Sequence, residues 1–382
     1  MQATESASAR ADERRMLGES VADFAQRATD MARVRKWRGV QPGYDRALWR
    51  EMAAMGWTGL LVPEKYGGMA LGLGEMAEVC QGLARVLTPE PMLTSAVLAT
   101  RSIMHCQNDA IGAELLPRLA QGDTIAALAW QEQTGDLESG TPATRAEASG
   151  GQITLNGTKR FVVGAAGAEG FIVSARSGSD TVLVWVGADT PGLGVALEPI
   201  ADGRFSADLT LAQARVPERW VLARGEVAQA ALGRAIDEAT VMASAELMGI
   251  MSRTLEMTLD YLRTRVQFGR TIGSFQALQH RAVDLYIQEQ LSACALADAL
   301  AAVDERPGEP ATAAIVSRAK ARCSDAASLI TRQAIQMHGA IGFTEDSDVG
   351  LYVKRALTLS AWLGNSSYHR RRYARLAPDE AE

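Results

Sequence analysis

The hydrophobic period changes twice along the chain. Up to about residue 118, apolar positions recur every three or four residues, as in "DERRMLGESVADFAQRA" (12–28) and "LGEMAEVCQGLARVL" (73–87). That spacing predicts amphipathic helices, and breakers such as "VPEKYGG" (62–68) separate them. From about 120 to 222 the period shortens towards two. "GQITLNGTKRFVVGA", "GFIVSAR", "TVLVWVGAD" and "FSADLTLAQARVP" are short, β-branched and bounded by Gly, Asp and Pro. They predict strands of an antiparallel sheet. No strand–helix alternation accompanies them, which disfavours a Rossmann domain. From about 228 the helical period returns in "ATVMASAELMGIMSRTLEMTLDYLRTR", "QALQHRAVDLYIQEQLSACALADALAAV" and "ATAAIVSRAKARCSDAASLITRQAIQMHG", with "DERPGEP" (304–310) as a break. Long helices on short connections predict an antiparallel bundle. The expected fold is α+β: an N-terminal helical domain over 1–118, a central antiparallel β-sandwich or barrel over 119–225, and a C-terminal four-helix bundle over 226–382.

Composition narrows the classes. At 47% hydrophobic and 22% charged, the 382 residues can bury a large core and are not a disordered chain. The net charge of -6 argues against a nucleic-acid or anionic-membrane partner. Cys80, Cys106, Cys294 and Cys323 stand far apart with no CxxC pair, so neither a metal site nor a disulfide framework is expected. The N-terminus mixes charges without an apolar run, and no stretch of about 18 apolar residues occurs. These features lead to the expectation of a soluble, cytoplasmic protein.

Two polar, glycine-bearing segments close long helices: "YLRTRVQFGRTIGSFQALQH" (261–280) and "QMHGAIGFTED" (336–346). Arg265 has the planar fork that suits a phosphate, and Gly339 and Gly342 would allow close backbone approach. Each segment alone reads more readily as an ordinary helix end.

Together, in this order and after a strand-rich region, they resemble the acyl-CoA dehydrogenase family. "ALAWQE" (127–132) and "LNGTKRFVVGA" (155–165) resemble that family's flavin-facing strands. The resemblance covers nearly the whole chain. It implies FAD held between the β domain and the helical bundle, with Trp130, Gln131, Phe161 and Val163 lining the flavin ring. It implies that Arg265, Gln267, Phe268 and Gln276 contact the pyrophosphate and adenosine of a neighbouring subunit's FAD, with Gln336, Gly339 and Ala340 along another edge. One segment departs from the pattern: "QEQTGDLESG" (131–140) stands where the family carries a "TEPGAGSD"-like run, leaving Ser139 as a stand-in for its serine.

The chemistry that the resemblance implies needs a base to take an α-proton from an acyl-CoA thioester. The family places a glutamate in a turn that reads like "YEGT". Here that stretch is "WLGN", and Leu363 occupies the glutamate's place. The alternative family position falls on Ala239. Both are empty of a carboxylate. Glu238 adjoins the second position but points about 100° around the helix, and Glu246 lies about two turns on. Either could instead sit in an inter-helix ion pair.

The "ASAELMG" helix (243–249) and the "YHRRR" ending (368–372) resemble a subgroup that degrades sterol side chains, several members being heterotetramers in which one subunit type carries the glutamate. The resemblance therefore implies an FAD-dependent acyl-CoA dehydrogenase subunit, acting on an acyl-CoA such as a steroid side-chain ester. A paralogous α2β2 partner would supply the base, and an electron-transfer flavoprotein would be the acceptor. A homo-oligomer with an unusual base and a non-catalytic flavin- or acyl-CoA-binding protein are the alternatives. Small residues at Ala245 and Gly249 would then widen an acyl pocket.

Overall fold

The computed structural model describes residues 2–28, 30–135, 137–138 and 140–377. Helices α1 (Gln2–Ala28), α2 (Met31–Trp37), α3 (Arg46–Ala54), α4 (Leu73–Ala84), α5 (Thr100–His105) and α6 (Asp109–Ala120) come first. Strands β1 (Ala126–Ala129), β2 (Arg145–Ser149), β3 (Gln152–Val163), β4 (Gly170–Ser177), β5 (Asp180–Gly187), β6 (Leu193–Pro199), β7 (Phe205–Pro217) and β8 (Val221–Arg224) follow. Then come α7 (Gly225–Thr264), β9 (Val266–Gln267), β10 (Arg270–Thr271), α8 (Gln276–Glu305), α9 (Pro310–His338), α10 (Val349–Ala361) and α11 (Ser366–Leu376). Local chemistry sets several boundaries. Asp45, Asn108 and Asn365 accept backbone N–H bonds from Ala47, Ile111 and Tyr368 and so cap α3, α6 and α11, while Pro310 opens α9.

The chain forms two compact units. The first comprises Lys36–Met76 and Pro89–Ala239. Its centre is one eight-stranded sheet in the order β6-β7-β3-β2-β4-β5-β8, with β1 paired to β4. The expected antiparallel pairing holds for β2–β3, β3–β7, β4–β5, β5–β8 and β6–β7. β1 and β2, however, join β4 in parallel, so the sheet is mixed. All four residues of β1 are buried, which erases the alternation that would have marked its pairing. Alternate side chains, among them Ala127, Ala129, Leu155, Val173, Val184 and Leu209, share one apolar core.

The second unit comprises Ala77–Thr88, the described residues up to Arg35, and those from Thr240. α9 is its hub and packs against α8, α10 and α11. Polar links brace the apolar packing. Ser252 on α7 donates to Glu289 on α8, and Arg355 on α10 pairs with Glu246 on α7 at 2.7 Å. A Cβ at Gly249 would lie 2.2 Å from the Gln81 carbonyl oxygen. That small residue therefore accommodates the close approach of α4. Cys80, Cys106 and Cys323 are buried and unbridged, and burial pushes the Cys106 and Cys323 thiols up to about 12. No helix among the described residues is long and apolar enough to cross a membrane.

Candidate functional site

The end of β1 and the far end of β3 meet through main-chain and side-chain bonds. The Arg160 amide donates to the Gln131 carbonyl at 2.8 Å. Opposite β7 the β3 register shifts between Lys159 and Val162, leaving Arg160 and Phe161 in a bulge. A bulge re-aims a side chain, and Phe161 sits there with φ 56° and 36% exposure. The Arg160 guanidinium lies 5.0 Å from its ring centroid. Trp130 and Gln131 are buried beside it, and Val163 is half-buried. The Trp130 indole Nε1 has no hydrogen-bond partner among the described residues. The four residues assigned from sequence to the flavin ring therefore share one corner. An aromatic face with buried polar groups beside it fits a flat, heteroatom-bearing ring system.

The second set of sequence candidates lies in the helical unit. Arg265, Gln267 and Phe268 occupy the β9–β10 hairpin and its approach, and Gln276 opens α8. All four are exposed, Phe268 at 89% with φ 53°. Gln336, Gly339 and Ala340 are also exposed, at the end of α9. The two motif segments are joined by Tyr261 stacked on His338, with ring centroids 4.4 Å apart and 21° between planes. A Cβ at Gly339 would meet nothing within 4 Å, whereas one at Gly342 would lie 2.7 Å from the Ile335 carbonyl oxygen. Close approach at Gly342 is thus taken by the chain itself. Ser139 lies outside the described residues.

The "WLGN" stretch is the sharp turn that its glycine predicts. Leu363 is 3% exposed with φ 59°, and Gly364 follows at φ 108°. A Cβ on Gly364 would lie 2.5 Å from the Tyr368 ring. The turn is clamped from below. Lys320, fully buried on α9, donates from Nζ to the carbonyls of Leu359 at 2.9 Å and Gly364 at 3.0 Å, and to Ser324 Oγ at 3.2 Å. Burial lowers this ammonium to about 7. His369 Nε2 bonds the Leu363 carbonyl at 3.0 Å, and burial lowers its imidazole to about 3, so the neutral ring donates. The carbonyls of Leu359, Leu363 and Gly364 are thereby held around an apolar side chain that cannot accept a proton.

The other expected base position is equally empty. Ala239 is fully buried on α7. Glu238 beside it takes Arg101 through both oxygens at 2.5 and 2.7 Å, His105 at 2.9 Å and Arg234 at 3.1 Å. Burial alone would raise its carboxyl, but the bonds from Arg101 and His105 outweigh that and hold it at about 2. Glu246 is engaged by Arg355 within the helical unit. Both carboxylates therefore stand in buried ion pairs, the plainer of the two sequence readings.

Sequence reasoning passed over three buried polar residues, Lys159, Lys320 and His369, and the half-buried Glu132. The signal was present for the two lysines. Lys159 falls in phase with Leu155 on β3, and Lys320 with Val316 and Cys323 on α9, so each stands where its element turns inward.

Residues 11–123 match the acyl-CoA dehydrogenase N-terminal domain, and residues 228–377 match the acyl-CoA dehydrogenase C-terminal domain. Acyl-CoA dehydrogenase IpdE2 of Mycobacterium tuberculosis is 31% identical over 346 residues, covering 90% of this chain and 91% of that protein. Among solved structures, the ChsE4-ChsE5 complex from Mycobacterium tuberculosis superposes with a TM-score of 0.87 at 27% identity, covering 97% of this chain and 98% of that one. The Tcur3481-Tcur3483 steroid acyl-CoA dehydrogenase does so with a TM-score of 0.86 at 28% identity, covering 96% and 98%.

Proposed function

The chain belongs to the acyl-CoA dehydrogenase family, and from that premise we propose that it is the subunit of a heteromeric enzyme that helps to hold FAD but lacks the catalytic base. The enzyme is an oxidoreductase acting on an acyl-CoA, and its cofactor is FAD. When bound, FAD supplies the acceptor for the hydride leaving the substrate's β-carbon. This chain's residues supply the ring surface at Trp130, Gln131, Phe161 and Val163. They also supply an exposed set, Arg265, Gln267, Phe268, Gln276, Gln336, Gly339 and Ala340, that reaches a neighbouring subunit's cofactor.

One observation carries the proposal: the turn bearing Leu363 is intact and clamped, yet it presents no carboxylate. Proton abstraction from a thioester α-carbon needs a group near its own pKa at working pH. Leucine and alanine have none, and Glu238 at about 2 is too weak a base. The proton is therefore taken by a glutamate of a paralogous chain. The names of two similar solved structures, each pairing two different proteins, support that reading. So does an apolar stripe on α8, where Val283, Tyr286, Ile287 and Leu291 are 46–55% exposed at helical spacing. The substrate class that the steroid enzyme's name suggests is a steroid-derived acyl-CoA. An electron-transfer flavoprotein would take the electrons onward, and the chain would work in the cytoplasm.

The test is anaerobic flavin bleaching by a panel of acyl-CoAs, with the purified chain alone and with the paralogue encoded beside it. Bleaching is expected only in the pair. Bleaching by the chain alone would overturn the proposal, because a base would then lie within it.

A further inference from the structure

A buried charge pair lies directly behind the corner assigned to the flavin ring. The β1–β4 ladder ends at the Ala129–Val173 rung. One residue further on, Lys159 of β3 replaces the missing rung. Its Nζ donates to the Trp130 carbonyl at 3.3 Å and to Ser174 Oγ at 3.0 Å, and pairs with Glu132 Oε1 at 2.6 Å. Its side chain is fully buried and that of Glu132 is 10% exposed. Glu132 in turn accepts the amides of Ala143 at 2.6 Å and Thr144 at 2.9 Å. The next residue of β3, Arg160, holds the Gln131 carbonyl, and the one after it is Phe161 on its left-handed bulge.

Trp130, Gln131 and Glu132 are thus each tied to Lys159 or Arg160. Those ties set the direction in which the chain leaves β1. A well-packed apolar pair at such a site is often as stable as an ion pair, so stability alone does not account for burying two charges here. The Glu132 carboxyl, which burial would raise, is lowered by its bonds from Lys159 and Thr144 and so remains an acceptor for all three donors. The pair also joins both roots of the segment between residues 132 and 143.

We propose that Lys159 and Glu132 are positioning residues, which aim Trp130 and Gln131 beside Phe161 and thereby set the flavin's environment. The inference rests on the FAD-holding role given above. It adds two residues that touch neither cofactor nor substrate and act through the backbone of those that do.

The test compares the full chain, with its paralogous partner, against Lys159→Met, Glu132→Gln and the double variant. FAD dissociation constant, visible circular dichroism of the bound flavin and melting temperature are measured together. Each single variant leaves one member of the pair uncompensated, so melting temperature falls. The double variant removes both charges, and its melting temperature recovers. FAD affinity is expected to stay about tenfold weaker in the double variant, with altered visible dichroism. Ser174→Ala, which removes the hydroxyl's bonds with Lys159 Nζ and the Trp130 carbonyl but no charge, is expected to shift the dichroism in the same sense and keeps the test alive where the others fail to fold. If the double variant, or Ser174→Ala in its place, holds FAD within about twofold of the wild type with unchanged dichroism, the pair is structural only and the proposal falls. If wild-type protein takes up no FAD, with or without the partner, the underlying reading fails instead.

Discussion

Phe161, Phe268 and Leu363 share a conformation that bulky residues avoid, with φ of 56°, 53° and 59°. Each costs of order 1–3 kcal/mol and persists only where its surroundings over-determine it. All three stand at positions that the sequence had singled out for cofactor or base. For Leu363 the surroundings are named: Lys320, His369 and the Gly364 turn. A carboxylate placed there inherits the fixed backbone. Leu363→Glu is therefore expected to lose about 3 kcal/mol of stability from burying a polar group, yet to bleach with acyl-CoA without its partner. Retained FAD without bleaching across the same acyl-CoA panel would mean that the turn no longer faces a substrate. Glu238 yields a prediction with a pH window. Its carboxyl stands at about 2 in the folded chain against an ordinary 4.5, so its contribution is full above pH 4.5 and fades as pH falls towards 2. That shift corresponds to about 3 kcal/mol. Thermal unfolding followed from pH 2 to 6 should show a steep acid loss in the wild type. A flatter profile is expected for Glu238→Gln, which starts lower because Arg101 and Arg234 lose their counter-charge.

Among the elements, α8 differs from its neighbour α9. The buried side of α9 runs from Thr312 to Met337, whereas α8 leaves Val283, Tyr286, Ile287 and Leu291 in solvent. Residues at that spacing lie along one side of a helix and form a stripe. The β9–β10 hairpin that precedes α8 adds Val266 at 54% and Phe268 at 89% exposure. The periodicity of α8 was legible in the sequence, but which of its sides the chain would cover was not, because an amphipathic pattern does not distinguish a core from an interface. Tyr286→Glu combined with Ile287→Glu is expected to leave the chain's own melting temperature nearly unchanged, since neither side chain is buried. The same variant should fail to co-elute with the paralogous partner in size-exclusion chromatography. A variant that still co-elutes would place the partner elsewhere.

For the whole molecule, the sequence by itself determined the order of helices, strands and helices, the family, and the absence of a carboxylate at both expected base positions. These follow from local period and from motifs that are contiguous in the chain, so no long-range information is needed to read them. The resemblance of two short strands also grouped Trp130 and Gln131 with Phe161 and Val163, and the bond from the Arg160 amide to the Gln131 carbonyl joins those two strand ends. The tertiary structure decided the rest. Whether β1 runs parallel or antiparallel to β4 depends on pairing partners 44 residues apart, such as Ala126 with Gly170. Whether Glu238 is a base or an ion-pair partner depends on Arg101 and His105, more than 130 residues away. What Gly249 makes room for depends on Gln81. Lys159 and Lys320 showed in sequence only as charges in phase with apolar residues; their partners, Trp130, Ser174, Leu359 and Gly364, come from other elements. Period and motif are properties of neighbouring residues, while burial, charge compensation and backbone strain are set by what packs against them from distant parts of the chain.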